Sequence, residues 1–250
     1  MCDARLFHPL AARLEGWEVI APAPHRASTV EGLAREALRE VEARIGDASF
    51  VLGGLSMGGI VALALARLAH ARIEALVLMD TNHRAEAPER RAERAPQIAR
   101  ARADLRAVLI EELKPAYLGP AHREDAALLD LVLDMGMRLG PDAFERQSLA
   151  LRDRPDAADV VAGFPRPLLA LCGAHDAVCP PERHRAIAAL APRGEFALVP
   201  GAGHLPTLEE PEACARALHA FLAGLPAPGA AADPASPAPP FRSAPLPAPA

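Results

Sequence analysis

Short apolar segments alternate with helical patterns along most of this chain, and the alternation limits the folds that the chain can adopt. Strand-like runs occur at residues 18–21, 50–52, 75–79, 168–172 and 196–199. Helical patterns separate these runs, and the helix that follows the second run is apolar nearly all round. Apolar strands joined by helices are typical of a parallel sheet that is buried on both faces. The sequence therefore predicts an α/β fold, with a mostly parallel sheet and helices on both faces.

Two segments depart from this alternation. Residues 84–164 are charged, have a helical pattern and contain no strand-like run, so we expect a helical cap insert over the carboxyl ends of the strands. Residues 225–250 combine nine prolines with alanine, glycine and serine. This composition cannot form a packed core and predicts a disordered tail. The core is then expected in two parts, residues 1–83 and residues 165–224.

Composition argues against several classes of function. The net charge of −5 and the lack of a basic block argue against a nucleic-acid partner. No apolar run reaches the roughly 18 residues of a membrane span, and the amino terminus lacks the apolar region of a secretion signal. We therefore expect a cytoplasmic protein with no membrane association. The cysteines show neither disulfide nor metal-ligand spacing, so we expect free thiols and no metal site; they are Cys2, Cys172, Cys179 and Cys214.

The strongest functional signal is the motif GLSMG at residues 54–58. This G-x-S-x-G pattern follows the predicted strand at residues 50–52 and precedes the apolar helix. In that setting the serine lies on a strained strand-to-helix turn, where small neighbours let the backbone pass closely. Ser56 is therefore the candidate nucleophile.

A serine hydroxyl is a weak nucleophile and needs a base that takes its proton. The sequence PGAGH, ending in His204, follows the last predicted strand, and CGAHD, ending in Asp176, follows the strand before it. Because the carboxyl ends of parallel strands meet at one edge of a sheet, we expect these side chains to meet Ser56. His204 is the candidate base, and Asp176 is the acid that orients it.

Two alternatives to these roles stay open. Asp80 ends the strand at residues 75–79 and could serve as the acid in place of Asp176. His175, next to Asp176, is an alternative base. For the other histidines, on predicted helices or polar loops, we expect solvated or capping side chains; they are His8, His25, His70, His83, His122, His184 and His219.

With these residues identified, the chain resembles the α/β-hydrolase superfamily over nearly all of its length except the tail. Four strings carry the resemblance: LSMGG at 55–59, LMDTN at 78–82, CGAHD at 172–176 and PGAGH at 200–204. Within the superfamily, the chain is most similar to bacterial esterases of the pimeloyl carrier-protein methyl ester esterase type.

The resemblance implies a serine hydrolase that cleaves a carboxylic ester or thioester through an acyl-enzyme on Ser56. It assigns the acid and base roles to Asp176 and His204, and an oxyanion-stabilising backbone N–H to Met57. The implied substrate is a small-molecule ester or acyl compound, no cofactor is implied, and no protein partner is indicated. Acyl transfer to another acceptor and C–C bond hydrolysis use the same residues, so both remain open.

One part of the family pattern has no counterpart in this sequence. In the family, a central strand with a glycine-bearing turn precedes the stretch matched by residues 2–7, and its turn supplies the second oxyanion N–H. That strand lies between the strands matched by residues 18–21 and 50–52. We therefore expect the natural start to lie upstream of Met1, and an inactive remnant is the alternative.

Overall fold

The computed structural model describes residues 1–113 and 117–225, and the tail predicted at residues 226–250 lies outside them. In the described part, a single parallel sheet has the strand order β1-β2-β3-β4. The strands are β1 (Phe50–Leu55), β2 (Ile73–Met79), β3 (Leu168–Gly173) and β4 (Gly194–Val199). The predicted fold class, a parallel α/β structure, is confirmed.

Helices connect and cover these strands. They are α1 (His8–Ala11), α2 (Val30–Ile45), α3 (Met57–Ala69), α4 (Pro88–Ala103), α5 (Leu105–Val108), α6 (Ala126–Arg152), α7 (Ala158–Gly163), α8 (Pro181–Leu190), α9 (Pro206–Glu209) and α10 (Pro211–Ala223). Short 3-10 turns occur at Ala4–Phe7 and His70–Arg72, and a π-helical turn at Leu109–Leu113. None of the described helices is both long enough and apolar enough to cross a membrane.

The two central strands, β2 and β3, are buried on both faces of the sheet, as their continuous apolar runs predict. In β2, Leu76 and Leu78 pack into one apolar cluster, whereas Val77 and Met79 pack into the cluster on the opposite face. This follows from the two-residue period of a strand, which directs successive side chains to opposite faces. Residues of α2, α3, α7 and α8 belong to the first cluster, and residues of α1, α9 and α10 to the second.

The helices between β2 and β3 correspond to the predicted cap. A third, smaller apolar cluster joins α4, α5 and α6 through residues such as Ile98, Leu105 and Phe144. In contrast, Val160 and Val161 of α7 belong to the cluster on the sheet. The division of the chain at residues 84 and 164 stays a prediction.

The prediction of a strand at residues 18–21 is wrong, because these residues form no strand in the structure. A strand depends on hydrogen bonds to a neighbouring strand, and β1 is the terminal strand on this side of the described sheet. An apolar groove separates β1 from residues 18–21. The nearby Trp17 and Val19 side chains remain 38% and 39% exposed. The local sequence favoured a strand, but the pairing that would form it is not present.

Candidate active site

Ser56 lies in a tight turn between β1 and α3. Its backbone has φ 54° and ψ −118°, a conformation that non-glycine residues rarely adopt. Glycine is required beside it because the turn brings backbone against backbone: a Cβ on Gly54 would lie 2.2 Å from the carbonyl oxygen of Gly58. A Cβ on Gly59 would likewise lie 2.5 Å from Thr81 Oγ1. The glycines of the motif thus permit the turn that presents the Ser56 hydroxyl at the carboxyl end of β1.

A continuous chain of hydrogen bonds joins the three residues that the sequence predicted to meet. His204 Nε2 lies 2.8 Å from Ser56 Oγ, and His204 Nδ1 lies 2.9 Å from Asp176 Oδ2. An ionised carboxylate can only accept, so Nδ1 carries the proton and Nε2 is free to accept the Ser56 hydroxyl proton. His175, the alternative base, is exposed to solvent and takes no part in this chain.

The environment of Asp176 keeps its carboxylate ionised. Burial opposes ionisation, but the hydrogen bond to His204, the charge of His204 and two backbone N–H donors outweigh it, and the pKa of Asp176 is lowered. Those donors are the N–H groups of Cys179 and Val178, at 2.9 and 2.8 Å from Asp176 Oδ1. The backbone therefore holds the Asp176 side chain through Oδ1, and Oδ2 faces the imidazole.

Comparison with known proteins identifies the family. Residues 3–217 match the model of the alpha/beta hydrolase family. The chain belongs to this family. The predicted resemblance is thus confirmed at the level of family and fold.

The chain is similar in sequence to the pimeloyl-acyl-carrier protein methyl ester esterases of Xanthomonas campestris pv. campestris and Xanthomonas axonopodis pv. citri. The identities are 35% and 32% over 124 residues, and each match covers 49% of this chain and 49% of the relative. The matched segment thus spans about half the length of these curated relatives.

The fold is also similar to solved structures. A thermophilic esterase from Thermogutta terrifontis superposes with a TM-score of 0.79 and 29% identity, covering 89% of this chain and 86% of that one. An enol-lactonase from Burkholderia xenovorans has a TM-score of 0.76 and 22% identity over 89% and 87% of the two chains, and shares the fold. The chain therefore has esterase homologues.

Asp80, the alternative acid, lies next to the site but does not contact His204. Its Oδ1 accepts a hydrogen bond from the Gly173 N–H at 2.9 Å, while Oδ2 has no hydrogen-bond partner among the described residues. Complete burial, followed by the nearby charge of Asp176, raises the pKa of Asp80 well above its usual range. Through the bond to Gly173, the Asp80 side chain joins the end of β2 to the end of β3.

The turn after β2 also supports Ser56 through a residue whose burial the sequence did not predict. Thr81 Oγ1 donates to the Ser56 carbonyl oxygen at 2.6 Å, and the Thr81 N–H donates to His184 Nε2 at 2.8 Å. We expected His184 to be solvated or capping, but it is fully buried in α8, and burial lowers its pKa to about 4. The sequence does not indicate this role of His184, because its partner Thr81 lies 103 residues earlier in the chain. The two residues become neighbours only in the folded structure.

Met57 begins α3, directly after Ser56. Because it is the first residue of the helix, no carbonyl within the helix lies four residues earlier to accept its N–H. The N–H is therefore available, at the positive end of the helix dipole, to a negatively charged oxygen beside Ser56.

An apolar cavity of about 360 Å³ extends from the site along the whole of β1. Ser56, His204 and Tyr117 line it beside the site, and Phe50 and Ile45 line it towards the start of the strand. The cavity can accept an apolar group attached to whatever Ser56 contacts.

One group of side chains could in principle hold a metal ion. The ligand atoms of Asp176, Cys179 and His204 lie within 4.8 Å of one another. However, Asp176 and His204 are already bonded to each other. Burial, followed by the charge of Asp176, raises the pKa of Cys179 to about 12, so its thiol stays protonated. We assign no metal to this group.

Proposed function

We propose that this hydrolase cleaves a carboxylic ester or thioester through an acyl-enzyme on Ser56. The observation that carries the proposal is the hydrogen-bond chain from Ser56 Oγ through both ring nitrogens of His204 to Asp176. A serine activated in this way attacks carbonyl carbons, and the esterase homologues agree with an ester as substrate.

In the first step, His204 Nε2 takes the hydroxyl proton while Ser56 Oγ attacks the substrate carbonyl carbon. The carbonyl oxygen becomes an oxyanion, and the imidazolium is held by the ionised Asp176. His204 then gives the proton to the leaving alcohol or thiol as the carbonyl re-forms. In the second step, His204 takes a proton from water as the water attacks the acyl carbon. The imidazolium then returns this proton to Ser56 Oγ as the bond between Oγ and the acyl group breaks, which releases the acid and restores the Ser56 hydroxyl.

The Met57 N–H is the oxyanion donor that we assign on the described chain. Removal of one oxyanion-hole donor typically costs roughly 10²–10³ in rate.

The apolar cavity supports a substrate with an apolar acyl or alcohol group. Tyr117 and Gln147, from the predicted cap, line it together with residues of the sheet. We propose accordingly that residues 84–164 act as a cap that shapes the substrate site. The named relatives are methyl ester esterases of an acyl-carrier protein, and an ester of this kind is one candidate substrate. Cytoplasmic location and the absence of a nucleic-acid partner stay predictions.

Labelling with a fluorophosphonate probe tests the proposal. We expect one probe per chain on the wild type, at Ser56, and none on Ser56→Ala. Ser49→Ala is the matched control, because Ser49 is exposed just before the other end of β1 and should leave labelling unchanged. A folded wild type that does not react with the probe contradicts the proposal and favours an inactive remnant.

A panel of p-nitrophenyl esters of increasing acyl length then separates the possible reactions. If the reaction is hydrolysis, we expect free acid as the product, and added alcohols should not lower the rate of its release. Transfer of the acyl group to those alcohols instead identifies an acyltransferase with the same three residues.

A further inference from the structure

Glu209 is a buried carboxylate at the end of α9, five residues after His204. Its side chain is only 5% exposed. A buried carboxylate is costly unless hydrogen bonds replace the water that it loses. The hydrogen bonds that Glu209 accepts in place of water come from backbone N–H groups around the candidate active site.

Glu209 accepts hydrogen bonds from backbone N–H groups on both sides of His204. Its Oε2 lies 2.9 Å from the N–H nitrogen of Gly203, and its Oε1 lies 2.9 Å from that of Leu205. The same Oε2 lies 2.6 Å from the nitrogen of Gly119, on the segment between α5 and α6. A single carboxylate thus joins the loop that carries His204 to residues 117–119 of the predicted cap.

The same two segments also contact each other directly. The His204 N–H donates to the Tyr117 carbonyl oxygen at 2.7 Å, and the Tyr117 ring stacks on the imidazole with centroids 5.5 Å apart. Their backbones approach so closely that a Cβ on Gly203 would lie 2.4 Å from the nitrogen of Gly119. His204 is therefore fixed by its own backbone, by the ring above it and by the carboxylate that holds its neighbours.

We propose that Glu209 is a positioning residue that holds the His204 loop and residues 117–119 as one unit. It thereby keeps His204 Nε2 within hydrogen-bond distance of Ser56 Oγ. The inference rests on the proposed function, because it concerns the base of that reaction. Glu209 touches neither Ser56 nor the imidazole, so it acts through the backbone on either side of His204.

A carboxylate suits this task because it has only acceptors. Each bond to Glu209 comes from a donor, and its two oxygens together offer about four acceptor positions. In Glu209→Gln, an NH₂ group replaces one oxygen and faces an N–H donor at hydrogen-bond distance. That contact is repulsive, so one of the two segments must move away while the size of the side chain is unchanged.

Kinetics of Glu209→Gln and of the matched control Glu210→Gln test the inference. Glu210 is the next residue and bonds His122 Nε2 at 3.1 Å rather than the His204 loop. A misplacement of about 1 Å can cost roughly 10²-fold in rate. We therefore expect Glu209→Gln to lower kcat and the rate of fluorophosphonate labelling about 10²-fold, with KM within about threefold of wild type. Glu210→Gln should keep all three values near wild type.

Glu209→Asp covers the case in which Glu209→Gln does not fold. It keeps the charge but is one methylene shorter, so it cannot reach Gly119, Gly203 and Leu205 together. We expect a loss of kcat of about tenfold, measured well below the melting temperature. Wild-type rates in a folded Glu209→Gln or Glu209→Asp, or an equal loss in Glu210→Gln, overturn the inference.

The NMR signal of the His204 Nδ1 proton separates this inference from the proposed function. We expect a downfield, hydrogen-bonded resonance in the wild type and in Glu210→Gln, and its loss or broadening in the Glu209 variants. A wild type that shows this signal but does not react with the probe contradicts the proposed function. The spectra of the Glu209 variants still test the positioning role in that case. Identical spectra for wild type and Glu209 variants overturn the positioning role even if Ser56 reacts.

Discussion

Replacing His184 with glutamine removes a titrating group from the support of the Ser56 turn and should change how stability depends on pH. His184 Nε2 accepts the Thr81 N–H at 2.8 Å, which requires the neutral imidazole. Glutamine can present its carbonyl oxygen to the same N–H without gaining a proton in this pH range. The substitution therefore keeps an acceptor and removes the titration.

The size of the effect follows from the pKa of His184, which burial lowers from 6.5 to about 4. Between these values the unfolded chain binds a proton that the folded chain does not, so the free energy of unfolding falls as the pH falls. The contribution is fully present above pH 6.5 and is lost as the pH falls to about 4. A difference of about 2.5 units at 1.36 kcal/mol per unit corresponds to roughly 3 kcal/mol.

Urea unfolding between pH 7.5 and pH 4, followed by circular dichroism, measures this effect. We expect wild type to lose about 3 kcal/mol more than His184→Gln over this range. Charges near His184, on Asp176, His204 and Arg183, are present in both proteins, so the difference isolates His184. The control is His8→Gln, in which an exposed histidine is replaced and the wild-type pH dependence should remain. Parallel curves of unfolding free energy against pH for wild type and His184→Gln would refute the reasoning.

Two further measurements address the site and its surroundings. Asp176→Asn should lower kcat on the order of 10³–10⁴-fold because it disturbs the His204 tautomer. Asp80→Asn keeps the acceptor for the Gly173 N–H and should leave kcat within about fivefold of wild type. The reverse order in ester kinetics would make Asp80 the acid. Gly203→Ala places a Cβ 2.4 Å from the backbone nitrogen of Gly119 and should lower the free energy of unfolding by about 1–3 kcal/mol. An unchanged melting temperature would contradict this expectation.

Local patterns were enough to predict much of this chain. The strands β1 to β4 and the burial of β2 and β3 followed from short apolar runs, because a strand buried on both faces must be apolar at every position. Ser56 followed from the strand-turn-helix context of its glycine-rich motif, since only small residues permit that turn. These features depend on residues close together in sequence.

Pairing between distant segments was not predictable in the same way. Residues 18–21 have a strand-like sequence but form no strand, because no neighbour pairs with them in the described sheet. His184 and Glu209 resemble ordinary helix residues in sequence. Their contacts reach Thr81 and Gly119, at separations of 103 and 90 residues.

The identity of the acid that orients His204 depends on both the local sequence and the tertiary structure. Asp80 and Asp176 each follow a buried strand, so the sequence by itself placed both carboxyls at the same edge of the sheet. The tertiary structure separated them: Asp176 receives two backbone N–H donors and the imidazole, whereas Asp80 is buried with one free oxygen. Sequence determined which chemical groups end the strands, because strand-like runs and turn motifs are local. Hydrogen bonding and burial, which arise only when distant segments pack, decided which carboxyl faces His204 and which has a raised pKa.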